Sequence, residues 1–512
     1  MLCIQRSLPT LSPHYVTCAR AYALDMASSL LLFFGTSVMA GRVWRFAFDD
    51  EIYTLSWIER YFGIKLLTVH LMSADVHPPV SYLLFYGLHH LGLSESAMRL
   101  CSLTMTALAL ALFHLLALTL IAQRNRDAVA LSTRLIAVLL FGLCPLAVSQ
   151  GDALRWYPLF AMLISLFVTL YLAGGNNAAR LWSAVPLGIA ASTNLLTAIV
   201  ILPFVLYRYG LQRQFRASFD VVYWLMILLF ASLGIFSAYS LLANRFDLVA
   251  TQLNSGIVQA AMIDVLGFFG GVALGISHAW IIVPTVAISA IAAFSETDRR
   301  EPANPVHLFL LMLAAPVLIV LLGFAKPRSF LYLAPVLAAV LTLFLDRQAR
   351  DRNAGIAVLL ASLILACSVA AIANLNYGTR PFKRNAVIPY QSIIDFIQTN
   401  ERGRVLVIST DPVVSWVLLH QHKGDRCVSY FFSAAACLAS EWRYDSIFVI
   451  TGHSHLSENA TFIREFNSAL NNVIAGRRKI ATIHAGVDED AEMKGRLTGV
   501  RLDKYILTVD LY

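Results

Sequence analysis

Long apolar runs alternate with short polar connections along the first three quarters of the chain, and the pattern changes near residue 380. Runs at 22–41, 97–121, 130–149, 155–173, 219–243, 261–294, 305–325, 329–346 and 354–374 are each long enough for a helix to cross the roughly 30 Å hydrocarbon core of a bilayer. The run 181–207 is too long for one upright helix and is interrupted by Asn194, which predicts two short helices. Segment 79–92 is only about 14 residues and predicts a juxtamembrane or re-entrant helix. About eleven crossings result.

After residue 380 shorter periods take over. Residues 389–400 predict an amphipathic helix, and Arg404-Val405-Leu406-Val407-Ile408-Ser409 a buried strand. A helix at 412–421, a strand at 446–451, a helix at 459–475 and strands at 479–484 and 504–511 follow. Alternation of this kind predicts a small α/β domain. Ser409-Thr410-Asp411 and Thr451-Gly452-His453 end strands, where ligand loops and ordinary turns both occur. The fold class is therefore a polytopic α-helical membrane protein with a C-terminal α/β domain, divided as 1–380 and 381–512.

Composition sharpens this reading. Of the 512 residues 58% are apolar and only 14% charged, against about 25% charged in soluble domains. A protein that is water-soluble throughout is excluded, and so is disorder. Of the charged residues, 29 fall in the last 132 positions, an ordinary soluble density.

The net charge of +8 does not signal a nucleic-acid partner, because its sources sit in short connections. Arg6 and Arg20, Arg124, Arg126 and Arg134, Arg180, Arg208, Arg213 and Arg216, Arg299 and Arg300, and Arg347, Arg350 and Arg352 all fall on one side if the N-terminus is cytoplasmic. Eleven crossings then carry the tail to the outer side, in a multi-pass inner (plasma) membrane protein. The stretch 27–39 before Ala40 has only a loose signal-peptide shape and is read as a retained span.

The seven cysteines form no CxxC pair. Cys427 and Cys437 are the two in the external domain, where disulfides persist. They either close one loop or stay buried thiols.

On this topology the chemically loaded segments share the outer face. The first outer loop, 42–95, carries Asp49-Asp50-Glu51 and Asp75-Val76-His77-Pro78-Pro79. The next outer turn carries Gln150-Gly151-Asp152-Ala153-Leu154-Arg155-Trp156-Tyr157, and a later one Lys326-Pro327-Arg328. Each has an unexceptional reading: solvated acids, a proline-started helix, interfacial arginines. Together they suit chemistry on a phosphate-bearing lipid, with carboxylates as base or metal ligand and guanidinium groups as phosphate holders. No GxGxxG or P-loop occurs, and no cytoplasmic loop is large enough for a nucleotide-binding domain. Ionisable residues inside the apolar runs are few, chiefly Asp25, His114, Asp264 and His278, which argues against a transporter or flippase.

Asp50-Glu51-Ile52-Tyr53, His77-Pro78-Pro79-Val80-Ser81-Tyr82 and Ser94-Glu95-Ser96-Ala97-Met98-Arg99-Leu100 resemble the opening of the C-type (GT-C) glycosyltransferases. The likeness is to the family 39 protein-mannosyltransferase group and its bacterial aminoarabinose and galacturonic-acid transferase relatives, which act on lipopolysaccharide. Arg155-Trp156-Tyr157 looks like that family's Arg-x-Tyr step. Lys326-Pro327-Arg328 with Tyr332 and Pro335 looks like its late step, with Arg328-Ser329-Phe330 where the family has Arg-Tyr.

The resemblance implies a transferase with a polyprenyl-phosphate sugar donor, a cell-envelope glycan, lipid or protein acceptor, and inversion at the anomeric carbon. In that reading Asp50, flanked by Asp49 and Glu51, is the catalytic base. Arg155, Arg328, Lys326 and His77 hold the donor phosphate, and Asp75, Tyr53, Tyr82, Tyr157 and Tyr332 line the substrate. No cofactor is required, and a divalent metal between Asp50 and the phosphate is compatible with the scheme. The rival from the same fold is a non-catalytic acceptor-binding subunit.

Overall fold

The computed structural model describes residues 20–43, 49–60, 63, 65–66, 77–125, 128–173, 177–213, 215–244, 305–321, 331–350, 354–376, 390–401, 403–409, 412–420, 426–430, 444–451, 460–475, 477–485 and 500–507. Two compact units result: Met1–Arg45 with Thr54–Asn376, and Phe46–Tyr53 with Tyr377–Tyr512.

The first unit is helical. Its elements are α1 (Ala23–Met39), α2 (Asp49–Arg60, of which Thr54 onward belongs here), α3 (Val80–His90), α4 (Glu95–Asn125), α5 (Leu131–Gly142), α6 (Pro145–Gln150) and α7 (Trp156–Ala173). The chain continues through α8 (Asn177–Trp182), α9 (Ala184–Ala191) and α10 (Thr197–Val205), which runs into a π-helical turn, Leu206–Leu211. Then come α11 (Ala217–Phe230), α12 (Ser232–Asn244), α13 (Pro305–Leu321), α14 (Leu333–Arg350) and α15 (Ala354–Asn376).

Among the described residues, three helices are long and apolar enough to cross a membrane: Glu95–Gln123, Leu131–Gln150 and Trp156–Ala173. The α11–α12 pair makes a fourth if its 59° bend is counted within one span. The protein is a multi-pass membrane protein. Large apolar side chains such as Leu31, Leu108, Leu135, Leu229 and Leu359 stay exposed on the helices, which suits lipid contact.

Two expectations change in detail. The run 219–243 is two helices rather than one, and part of the first outer loop is helical, because Asp49–Arg60 forms α2. Segment 79–92 is the short helix its length predicted. Run 261–294 lies outside the described residues.

One end of the bundle is tied by polar pairs. Arg134 donates to Asp25 at 2.7 and 3.0 Å, Thr133 to Asp346 at 3.0 Å, and Ser29 shares a 2.9 Å hydrogen bond with His114. These link α1, α4, α5 and α14. Inside an apolar bundle such groups need partners, since each unpaired one costs free energy.

The second unit contains a five-stranded sheet, ordered β2-β1-β3-β5-β4. The strands are β1 (Val405–Ser409), β2 (Arg426–Tyr430), β3 (Ser446–Thr451), β4 (Arg477–Ala485) and β5 (Val500–Leu507). β1 runs parallel to β2 and β3, whereas β5 is antiparallel to both its neighbours. Alternation along β1 sends Val405 and Val407 to one face and Leu406 and Ile408 to the other. The first face packs on Ile393, Ile394 and Ile397 of helix α16 (Tyr390–Asn400) and on Val414 and Leu418 of α17 (Pro412–His420). The second packs on Phe466 of α18 (Ala460–Ile474).

Strand β2 was not foreseen. Its five residues carry Arg426 and Ser429, and only pairing with β1 defines it. Strand β5 begins at Val500, earlier than the expected 504, because its ladders to β3 and β4 extend back to Arg501 and Val500.

Candidate functional site

Helix α1 ends where Gly41 turns left-handed, with φ +63. The Gly41 N–H bonds the Val38 carbonyl at 2.9 Å and the Arg42 N–H bonds the Ser37 carbonyl at 3.1 Å. This Schellman closure reverses the chain directly after the helix and depends on a residue that tolerates positive φ. It sets the starting direction of Arg42.

Arg42 is buried, and its guanidinium donates to Asp152 Oδ1 from Nε at 3.3 Å and from Nη2 at 3.1 Å. Its Nη2 also donates to the Ser149 carbonyl. The other oxygen of Asp152 faces Arg99 of α4, with Nη1 to Oδ2 at 3.4 Å. Arg99 in turn holds Glu95, one helical turn back, at 2.6 Å. Arg99 and Asp152 are both sealed from solvent. Two guanidinium groups and two carboxylates are thus linked among the described residues, with Asp152 as the shared acceptor. A buried carboxylate holds its charge only with such partners.

Asp152 reaches this position through a packed turn. Gly151 lies so close to the preceding helix that a Cβ there would sit 2.4 Å from the Ala147 carbonyl oxygen and 3.0 Å from Thr106 Cγ2. The Thr106 hydroxyl closes the contact by donating to the Gly151 carbonyl at 3.1 Å. Every residue of the turn 151–155 is buried. The turn is packed inside its unit.

Arg155 follows three residues later, also buried. Its Nη1 donates to Thr54 Oγ1 at 3.2 Å and to Tyr82 Oη at 3.4 Å. Tyr82 packs on Trp57, with ring centroids 6.4 Å apart. Next to Arg155 an aromatic wall runs from His77 to Trp156 (6.0 Å), on to Phe160 (5.5 Å), and then to Tyr332 (5.4 Å). Tyr157 stacks edge-on against Trp156 at 4.5 Å. The Trp156 indole N–H is buried and has no hydrogen-bond acceptor among the described residues.

Five expected residues are therefore gathered in the first unit: His77, Tyr82, Arg155, Tyr157 and Tyr332. Asp75, Lys326 and Arg328 lie outside the described residues. Asp49 and Asp50 open α2, but their side chains are likewise outside the description. Glu51 is buried, and Tyr53 is exposed. Within α2, Glu51 shares a stripe with Thr54, Leu55 and Ile58 by the three- and four-residue spacing, and all four are buried.

Sequence reasoning did not single out Arg42, Arg99 or Asp152 as a linked group. One signal pointed there. Asp152 stands between apolar runs, and a carboxylate in such a place demands a basic partner. Which arginines answer it, 110 and 53 positions away, is a property of helix packing.

Chemically, the arrangement offers a guanidinium held by neutral hydroxyl groups at the end of an apolar helix. Arg155 donates to Thr54 and Tyr82 there, and Arg42 and Arg99 pair with carboxylates. A positive group in a water-poor aromatic surround attracts phosphate more strongly than one in water. Among the described residues no cluster of three or more His, Cys, Asp or Glu side chains could hold a metal ion.

No family model matches the chain, and no curated protein matches it by sequence. Solved structures do match. The apo form of ArnT from Cupriavidus metallidurans aligns with a TM-score of 0.52 at 14% identity, over 95% of this chain and 98% of that one. ArnT from the same organism bound to undecaprenyl phosphate aligns at 0.47 and 13%, over 94% and 98%. The arabinofuranosyltransferase AftD from Mycobacteria aligns at 0.36 and 15%, over 96% of this chain and 40% of that one. The chain shares the overall fold of apo ArnT.

Proposed function

We propose that this chain is an integral-membrane glycosyltransferase that moves a sugar from a polyprenyl-phosphate donor to a hydroxyl of a cell-envelope acceptor on the extracytoplasmic face. The observation that carries the reading is Arg155, a buried guanidinium that donates to the Thr54 and Tyr82 hydroxyls and stands beside the His77–Trp156–Tyr332 wall. Sharing a fold with apo ArnT raises the expectation for this class by analogy.

The chemistry follows from charge. An acceptor oxygen attacks the anomeric carbon while the bond from that carbon to the phosphate oxygen breaks. The electron pair leaves with the polyprenyl phosphate, which departs as a dianion. Departure therefore needs positive charge more than a proton donor. Arg155 supplies it, together with Arg328, Lys326 and His77. Asp50, with Asp49 and Glu51 beside it, removes the acceptor hydroxyl proton. Tyr53, Tyr82, Tyr157, Tyr332 and Asp75 line the substrate. Direct displacement inverts the anomeric centre. A divalent cation fits this scheme between Asp50 and the phosphate but is not needed by it.

The test is transfer of radiolabelled sugar from synthetic polyprenyl-phosphate donors to cell-envelope fractions by the purified chain in vesicles. Labelled product with inverted linkage supports the reading. Movement of intact donor lipid between leaflets without transfer indicates a flippase. Acceptor binding without either indicates a binding subunit.

A further inference from the structure

The far end of α7 carries a second cationic cluster that the proposed transfer does not use. Tyr171 stands fifteen residues beyond Trp156 on α7, about 22 Å along the helix axis at 1.5 Å per residue. There, Arg208 of the π-helical turn is buried and donates to Asp220 from Nε at 3.0 Å and Nη2 at 2.6 Å, and to Tyr171 Oη from Nη1 at 2.9 Å. Asp220 also accepts the Tyr209 hydroxyl at 3.0 Å and the Arg216 backbone N–H at 2.7 Å. Its carboxylate is fully engaged.

The remaining charge is uncompensated. Arg180, Arg213 and Arg216 make no salt bridge among the described residues, and the buried Nε of Arg180 has no acceptor. Arg180, Arg208 and Arg216 line a cleft of about 20 Å³ with Asn177 and Phe219, room for a single oxygen-sized group. Beside it lies an open groove of about 730 Å³, which Tyr209, Arg213, Phe215, Trp224, Leu225 and Leu228 help to line. Asp220 lines the groove and Arg208 the cleft, so their ion pair joins the two. Phe215, Val221, Leu225 and Leu228 are exposed along it.

We infer that this is a binding site for one anionic phospholipid of the leaflet at that end of the bundle. A phosphate oxygen enters the arginine cleft and an acyl chain lies in the apolar groove. The charge is right for this occupant: four guanidinium groups face one carboxylate. The groove supplies what a free phosphate would not need, a strip of exposed apolar surface that continues directly from the cationic cleft. Basic pockets between membrane helices recognise headgroups in this way.

The experiment uses delipidated full-length protein in neutral detergent. Binding is read by native mass spectrometry and by the shift of the thermal transition on adding phosphatidylglycerol, phosphatidylcholine or inorganic phosphate. One phosphatidylglycerol is expected to bind and raise the transition, with phosphatidylcholine at least about tenfold weaker. Arg213→Gln/Arg216→Gln changes two exposed side chains, so its lipid-free transition should match the parent while phosphatidylglycerol affinity falls at least about tenfold. Arg180→Gln should weaken binding in the same direction. Equal binding of phosphatidylcholine, or unchanged affinity in both variants, overturns the site. Inorganic phosphate binding as well as the lipid overturns the phospholipid assignment, because the groove then contributes nothing.

Discussion

Arg42 and Asp152, 110 positions apart in the chain, close a buried 3.1 Å ion pair, and Arg99 completes it from the other side of the same carboxylate. Asp152 is thereby a structural anchor. It holds the ends of α1, α4 and α6 together immediately before the turn that delivers Arg155. A carboxylate shared by two guanidinium groups is poorly suited to remove a proton.

Asp152→Asn is expected to destabilise the protein severely. It removes the charge of the buried carboxylate that Arg42 and Arg99 share, and breaking a buried pair in this way costs about 3–5 kcal/mol. Thermal unfolding of the purified variant in detergent measures it. A variant as stable as the parent would show that the network is dispensable.

Arg155 should behave differently. Arg155→Ala removes the guanidinium but leaves the Arg42–Asp152–Arg99 chain intact, so the protein should express and fold. Donor-lipid binding and sugar transfer should both fall, transfer by about a hundredfold or more. Arg155→Lys keeps the charge, loses the fork, and should recover only part. Undiminished donor binding in Arg155→Ala would remove it from the phosphate site.

Asp50→Asn should keep expression and donor binding while transfer falls about 10²–10⁴-fold, the usual cost of losing a general base. Asp49→Asn should fall much less. Adjacent positions on an α-helix are about 100° apart, so the register decides which of the two is the base. Activity lost in Asp49→Asn and kept in Asp50→Asn would move the assignment by one residue. Activity kept in both would end it for the pair.

Cys427 is disulfide-bonded, and its partner lies outside the described residues. We expect that partner to be Cys437. A non-reducing digest should contain a peptide pair joined through these two cysteines, and Cys427→Ser should destabilise the tail by about 2–3 kcal/mol, as closure of so short a loop suggests. Alkylation of Cys437 before reduction would contradict the pairing.

The tail should lie outside the cytoplasm and the N-terminus inside. Alkaline phosphatase fused after Tyr512 should be active, and a fluorescent protein that matures only in the cytoplasm should stay dark there. The opposite pattern would invert the topology, and with it the proposed face of the reaction.

Run length and hydropathy alone marked this chain as a multi-pass membrane protein, and alternation marked strands β1 and β3, because crossing a bilayer and alternating across a sheet impose periods that single residues cannot disguise. Arg155, His77, Tyr82, Tyr157 and Tyr332 were legible as candidates because their short motifs, in order and spacing, resemble those of a known transferase family. Tertiary structure alone decided the rest. It turned the loop 151–155 inward, paired Asp152 with arginines from two distant helices, and made Arg426–Tyr430 a strand through its ladder with β1. It also set Arg180, Arg208 and Arg216 around one cleft at the opposite end of α7. Each of these depends on which helix or strand lies beside which. A buried charge shows in sequence that it needs a partner; only packing selects the partner.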